Sequence, residues 1–170
     1  MPDATGLELI AQELRDADAE SVLDTVFFRN HAALLVAPGA VPATLQHLKG
    51  KGFKFLASVH GVDYFPEEPR FGVHYELLDM YEVDRISVRT RVPLADPHVP
   101  SVTLEWPTAD HQEREVYDMF GVIFDGHPDL RRILMPEDYE GHPQRRDFPL
   151  GGEAVLFTHN EPQLPGWWKS

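Results

Sequence analysis

From residue 122 to its end the chain meets a proline or glycine every few positions. Pro128, Pro136, Pro143, Pro149, Pro162 and Pro165 alternate with Gly126, Gly141, Gly151, Gly152 and Gly166. Proline removes a backbone donor and glycine raises the entropic cost of any fixed conformation, so neither helix nor strand persists here for long. Yet Leu130, Ile133, Leu134, Met135, Tyr139, Phe148, Leu150, Val155, Leu156, Phe157 and the Trp167-Trp168 pair stand in the same stretch. Disordered segments are poor in such groups because they have nowhere to bury them. An irregular segment this rich in large apolar side chains predicts an extended arm lying on its own domain or on a partner.

The arm contains one short phrase twice. Gly126-His127-Pro128 leads to Arg131-Arg132, and Gly141-His142-Pro143 leads to Arg145-Arg146. His111, His127 and His142, with Asp125, Asp129, Glu137 and Asp138, include ligand types that zinc or iron accept. Their spacing opposes a metal site: no pair falls on one helix face, and each residue before a proline is biased toward extended backbone. The guanidiniums can grip phosphate, but they grip carboxylates equally well. Glu113, Glu115, Asp118, Asp129, Glu137, Asp138 and Asp147 are all close in sequence, so ion pairs within the chain or across a subunit boundary are the favoured use. Glu113 and Glu115, two apart on a helix, point to different faces and do not share a substrate proton. The residues themselves offer no catalytic site.

Ahead of the arm the chain is periodic. Leu7, Ile10, Ala11 and Leu14 mark one face of a helix with Thr5 as its cap. SVLDTVFFR and HAALLVA read as two strands turned at Arg29-Asn30-His31, and a short helix from Pro42 is ended by Gly50 and Gly52. FKFLASVHGVDYF, RFGVHYELLDMY and RISVRTRV read as three more strands joined by short polar turns. TADHQEREVYDMFG reads as a helix with Asp110 and Glu113 at capping-box spacing, Arg114 and Asp118 as an i, i+4 pair, and Gly121 as its end. This order predicts an α+β fold: a mixed, mainly antiparallel sheet with helices on one face, then the extended Pro/Gly-rich C-terminal arm. Residues 1–121 would form the domain and 122–170 the arm.

Charge and composition limit the partners. The net charge of -13 lacks the cationic footprint that nucleic acid or anionic lipid needs. With no cysteine there is no thiolate zinc site and no cysteine-ligated cluster in this chain. No run approaches the roughly 20 apolar residues that span a bilayer, and the N-terminal residues do not resemble a secretory signal.

The helix and the start of the arm together resemble a known family. EREVYDMFGVIFDGHPDLRRIL, from Glu113 to Leu134, is similar to the signature of the C-type subunit of respiratory complex I: Glu113-Arg114-Glu115, Asp118, Met119-Phe120, His127, Arg131 and Ile133-Leu134 fill its slots without a gap. Arg132 stands beside Arg131 in that stretch, and the continuation over 135–150, with His142, Arg145, Arg146 and Asp147, resembles the family's Gly-His-Pro, basic and Asp-Phe-Pro run. The resemblance implies a cofactor-free, non-catalytic structural subunit of the peripheral arm of proton-pumping NADH:quinone oxidoreductase, with those residues contacting partners. It implies as partners the D-type subunit, related to the hydrogenase large subunit, and the neighbouring iron-sulfur subunits. FMN, iron-sulfur clusters, NADH and quinone would belong to the assembled complex. The chain would sit on the cytoplasmic side of the bacterial cell membrane, attached only through that complex. The equivalent subunit of a membrane-bound [NiFe] hydrogenase or ferredoxin-linked relative is the neighbouring alternative. A free-standing His/Asp metalloenzyme is the rival of another class.

Overall fold

Helix α1, Ala4–Ala17, opens the fold in the computed structural model, which describes residues 3–149. The arm expected over residues 150–170, with Val155, Leu156, Phe157 and Trp167-Trp168, lies outside the described residues. Asp3, not Thr5, caps α1: its carboxylate accepts from the Gly6 N–H at 2.7 Å. The cap lies two residues earlier than expected because the acid reaches the free first-turn donors from an extended backbone.

Strands β1 (Val22–Phe28) and β2 (His31–Val36) form a hairpin around Arg29 and Asn30, both at positive φ, the backbone that a tight two-residue turn requires. A short 3-10 turn leads into α2, Val41–Gly50. Strands β3 (Phe55–Asp63), β4 (Phe71–Asp79) and β5 (Asp84–Val92) then make an antiparallel meander. The sheet order is β1-β2-β5-β4-β3, with β2 and β5 parallel at its centre. The sheet is thus mixed and mainly antiparallel. Strand β6 (His98–Pro100) precedes α3 (Ala109–Phe120), and β7 (Ile123–Asp125) returns to pair with β6.

Pairing register assigns the two faces of the sheet. Leu34, Val59, Val73, Tyr75, Ile86 and Val88 share one face and one buried core with Leu7 and Leu14 of α1, Leu45 and Leu48 of α2, and Val116 and Met119 of α3. All three helices therefore lie on that face. Gly61 allows α3 to approach, because a Cβ there would strike the Phe120 ring and the Val116 side chain. Val122 and Phe124 also enter the core, so the chain stays with the body for several residues beyond Gly121.

Candidate functional site

Helix α3 supplies the centre of the site. Its face carrying Val116, Met119 and Phe120 is apolar, and so would be expected to hold apolar side chains only, yet Glu113 and Asp118 are fully buried as well. Asp118 is the hub. Its Oδ2 accepts from the backbone N–H groups of Ile133, Leu134 and Met135 at 3.1, 2.8 and 2.8 Å, while Oδ1 accepts from Arg132 Nη1 at 2.6 Å. Burial pushes the carboxyl pKa up, but the three N–H donors and Arg132 outweigh it and leave Asp118 below the usual range. The expected Arg114–Asp118 pair does not form. Arg114 instead donates to the carbonyls of Arg131 and Arg132, at 3.2 and 3.4 Å. A folded-back arm offers Asp118 three aligned donors that a neighbouring turn of helix lacks.

The second Gly-His-Pro phrase caps the C-terminus of α3. A helix ends with four carbonyls that lack partners within it. Here Gly121 N–H bonds to Tyr117 O at 2.8 Å, His142 Nδ1 donates to Asp118 O at 2.9 Å, Gln144 N–H to Met119 O at 3.2 Å, and Arg145 Nε to Phe120 O at 2.7 Å. Cationic Arg132 and Arg145 also suit the negative end of the helix dipole. Gly121 ends α3 at φ 79° as expected, and it has a second use. A Cβ there would run into Arg145 Nη2 and His142 Nε2, so glycine is what admits the returning arm. Burial lowers the His142 and Arg145 pKa values from their ordinary positions.

The first phrase lies against the other end of α3. His127 Nε2 is 3.3 Å from Asp110 O and 3.4 Å from its Oδ1, while its Nδ1 accepts from Asp129 N–H at 3.0 Å. Arg131 pairs with Asp129 on the surface. The arm thus follows α3 from its first turn to its last.

Beyond α3 the arm is fastened to the sheet through Asp63 and Arg70, which sequence spacing did not single out. Arg70, only 4% exposed at its side chain, makes a two-bond fork with Asp63 (2.9 and 2.8 Å) and another with Asp147 (2.8 and 2.6 Å). Its guanidinium lies 5.0 Å from the Phe65 and Phe71 rings. Asp63 also accepts from Arg146 N–H at 2.8 Å, and Arg146 Nη1 donates to Phe65 O. Arg70 holds both carboxyls below the usual carboxylate range. Asp63 and Arg70 flank a turn of prolines and acids, the only local hint; their link to Asp147 is invisible in one dimension.

Glu113 departs from its expected capping role. The α3 N-cap is Thr108, with no side-chain cap bond. Glu113 turns inward to accept from Ser101 Oγ at 2.7 Å and Val102 N–H at 2.9 Å, tying α3 to the segment after β6. Burial pushes its pKa up to about 7, against the lowering effect of those two bonds. Glu115 is exposed beside a cleft of about 90 Å³ that Val59, His60, Gly61 and Gln144 also line. Glu113 and Glu115 do face apart. Among the described residues no three His, Asp or Glu side chains are grouped as a metal would need.

The family described as "Respiratory-chain NADH dehydrogenase, 30 Kd subunit" matches residues 34–154. The C-type NADH-quinone oxidoreductase subunit of Roseiflexus sp. (strain RS-1) is 43% identical over 158 residues, covering 91% of each chain. The relatives of the same name in Saccharopolyspora erythraea and Herpetosiphon aurantiacus, 48% and 55% identical, are matched over 65% and 64% of their lengths. Of solved structures, a trypsin-resistant fragment (1-134) of Nqo5 is similar at TM-score 0.62 and 37% identity, covering 73% of this chain and 98% of the fragment. A chain from the membrane-bound sulfane sulfur reductase (MBS), an archaeal respiratory membrane complex, is similar at TM-score 0.70 and 25% identity, covering 84% and 85%. Fold and matches together define a subunit of a respiratory oxidoreductase complex. The chain belongs to the family of the 30 kDa subunit of respiratory-chain NADH dehydrogenase.

Proposed function

We propose that this chain is a structural subunit of the peripheral arm of NADH:quinone oxidoreductase, supporting the quinone-reducing module without catalytic residues of its own. One observation carries the reading. The ionic groups of the signature from Asp118 to Asp147 bond to the chain's own carbonyls, N–H groups and carboxylates, and they hold the arm along α3. Side chains committed in this way set the shape of a surface and are poorly placed to exchange protons with a substrate.

On this reading residues 1–121 are the body and 122–170 the arm, with β7 stitching the two together. Glu113, Arg114, Glu115, Asp118, His127, Arg131, Arg132, His142, Arg145, Arg146 and Asp147 shape or line the face offered to partners. Those partners are the D-type subunit, related to the hydrogenase large subunit, and the adjacent iron-sulfur subunits, which with their neighbours carry the FMN, clusters, NADH and quinone. Among the described residues no helix is long and apolar enough to cross a membrane, which fits peripheral attachment through the complex at its cytoplasmic side. Likeness to the sulfane sulfur reductase chain supports a second reading, the equivalent subunit of a related membrane complex without NADH chemistry.

Purification from native membranes tests both. The chain should come down in a multisubunit assembly, and the substrate oxidised by that assembly decides between the readings. Arg132→Ala should reduce the amount of assembly while leaving turnover per assembled complex unchanged. Normal assembly with slowed turnover would overturn the structural role.

A further inference from the structure

The face of the sheet away from the helices carries a second set of arginines, in a different situation from those of the arm. Register puts Arg85, Arg89 and Arg91 of β5 on this face, in rows with Leu78, His74 and Gly72 of β4. Phe55, His60 and Val62 of β3 continue the rows on one side, and Leu35 of β2 sits beside Arg89 on the other. Among the described residues no helix lies over this face.

The arm's guanidiniums all find close acceptors within the chain; these are less well served. Arg85 and Arg89 make no ion pair among the described residues, and Arg89 has only the Ser87 hydroxyl, at 3.3 Å. Arg91 stacks 4.1 Å from the Tyr64 ring, which lies over Gly72 where a Cβ would collide with it. Its Nε and Nη2 are buried without a hydrogen-bond partner, and the Glu67 carboxylate stays 3.6 Å from Nη2 on an exposed side chain. Buried N–H donors left without acceptors cost about 1–3 kcal/mol each, so the place of Arg91 beside Tyr64 leaves much of its hydrogen-bonding capacity unused. In a chain of net charge -13 with 28 acids, these three arginines share their face with Glu76, which hydrogen-bonds to none of them among the described residues, and Glu67 approaches Arg91 alone.

We propose that this open sheet face is a docking surface for a protein partner that presents carboxylates to Arg85, Arg89 and Arg91. Its composition suits a protein rather than a free anion: Phe55, Val62, Leu35 and, on β1, Val26 and Phe28 surround the arginines with apolar surface, and arginine and aromatic side chains dominate the energetics of such interfaces. Its size is of the same order as such an interface. Five strands about 4.8 Å apart, three of nine residues and the others of seven and six, make a face about 20 Å wide and about 20–30 Å long, a flat area of about 500 Å² before side-chain relief, against the roughly 800 Å² of accessible surface that each side of a stable complex buries. The overall negative charge opposes a polyanion or an anionic membrane as occupant. The proposal rests on the chain's being a subunit, and it adds a second contact surface, separate from the arm.

The test uses the full chain assembled in its native membrane complex, with a photoreactive phenylalanine analogue replacing His60. One neighbouring subunit should cross-link, at a site flanked by Asp or Glu. Arg89→Glu with Arg91→Glu should lower both the cross-link and retention of the chain about tenfold, and Asp or Glu→Arg at the mapped site should restore them. Arg85→Glu, on an exposed side chain, gives the same reading without disturbing the packing if the isolated variant melts like wild type. An assembled complex in which His60 cross-links to nothing, to lipid, or to residues 150–170 overturns the docking surface and leaves the subunit reading intact. Recovery of the chain alone overturns both. Capture of the isolated chain by phosphatidylglycerol vesicles through these arginines would replace the protein partner with a membrane.

Discussion

At the scale of single residues, two buried titratable groups should oppose each other as pH changes. Glu113 has no cation beside it among the described residues, and the fold favours its neutral form, raising its pKa from 4.5 to about 7. Its contribution to stability is full below pH 4.5 and is lost as pH rises through 7, a change of about 3 kcal/mol at most. His74, which shares a 3.1 Å hydrogen bond with Tyr64, is pushed the other way by burial, from 6.5 to about 4. Its contribution is full above pH 6.5 and is lost as pH falls through 4. The wild-type melting temperature should therefore stay nearly level from pH 7 to 4.5. Glu113→Gln keeps an acceptor for Val102 N–H and offers Ser101 a donor, so its melting temperature at pH 8 should match or exceed wild type and then fall on acidification to pH 5. Melts that fall most at pH 8 would show that the ionised carboxylate is the stabilising form. The sequence identified Glu113 as part of a signature but mistook its partner. Spacing to Asp110 suggests a capping box, whereas the Ser101 hydroxyl and the Val102 N–H reach Glu113 only once β6 and β7 have paired.

At the scale of elements, the arm is held by clamps of unequal strength. Arg70 lies beneath both Asp63 and Asp147, and removing it strands a carboxylate that is 6% exposed. Arg70→Ala should cost about 3–5 kcal/mol, the usual effect of orphaning a buried charge. Asp147 is half exposed at its side chain, so Asp147→Asn should cost only about 1 kcal/mol while loosening the end of the arm. Chemical denaturation measures both costs, and proteolysis near residue 147 should speed up in each variant. Equal costs would mean that the Arg70–Asp63 fork contributes nothing beyond the outer one. Period-two alternation made the sheet strands legible, and density of proline made the arm legible as an irregular, adhesive segment. What the arm adheres to was only half legible. Expected to pair within the chain or across a subunit boundary, its arginines grip α3 and the β3–β4 turn. Those contacts join positions far apart in sequence, which neither periodicity nor motif spacing records.

At the scale of the whole molecule, the parallel β2–β5 pairing is the seam on which the sheet closes. On one side lies the β1–β2 hairpin with its helices, and on the other the β3–β4–β5 meander. Each half is built from neighbours in sequence, but β2 ends at Val36 and its inner partner does not begin until Asp84. Non-local closure of this kind is paid in chain entropy before it returns any contact, which makes it a late step. Refolding monitored by amide exchange should show β3–β4 protected before β2; simultaneous protection would place the seam in the folding nucleus. A chain leaving the ribosome meets the same order as a matter of time. Until β5 emerges, Ala33, Leu34 and Leu35 present an unpaired strand edge, and any second nascent copy close by offers a matching one. An interior strand of the finished sheet is thus an edge strand during synthesis, and the interval between residues 36 and 84 is when this protein is most exposed to pairing with the wrong chain.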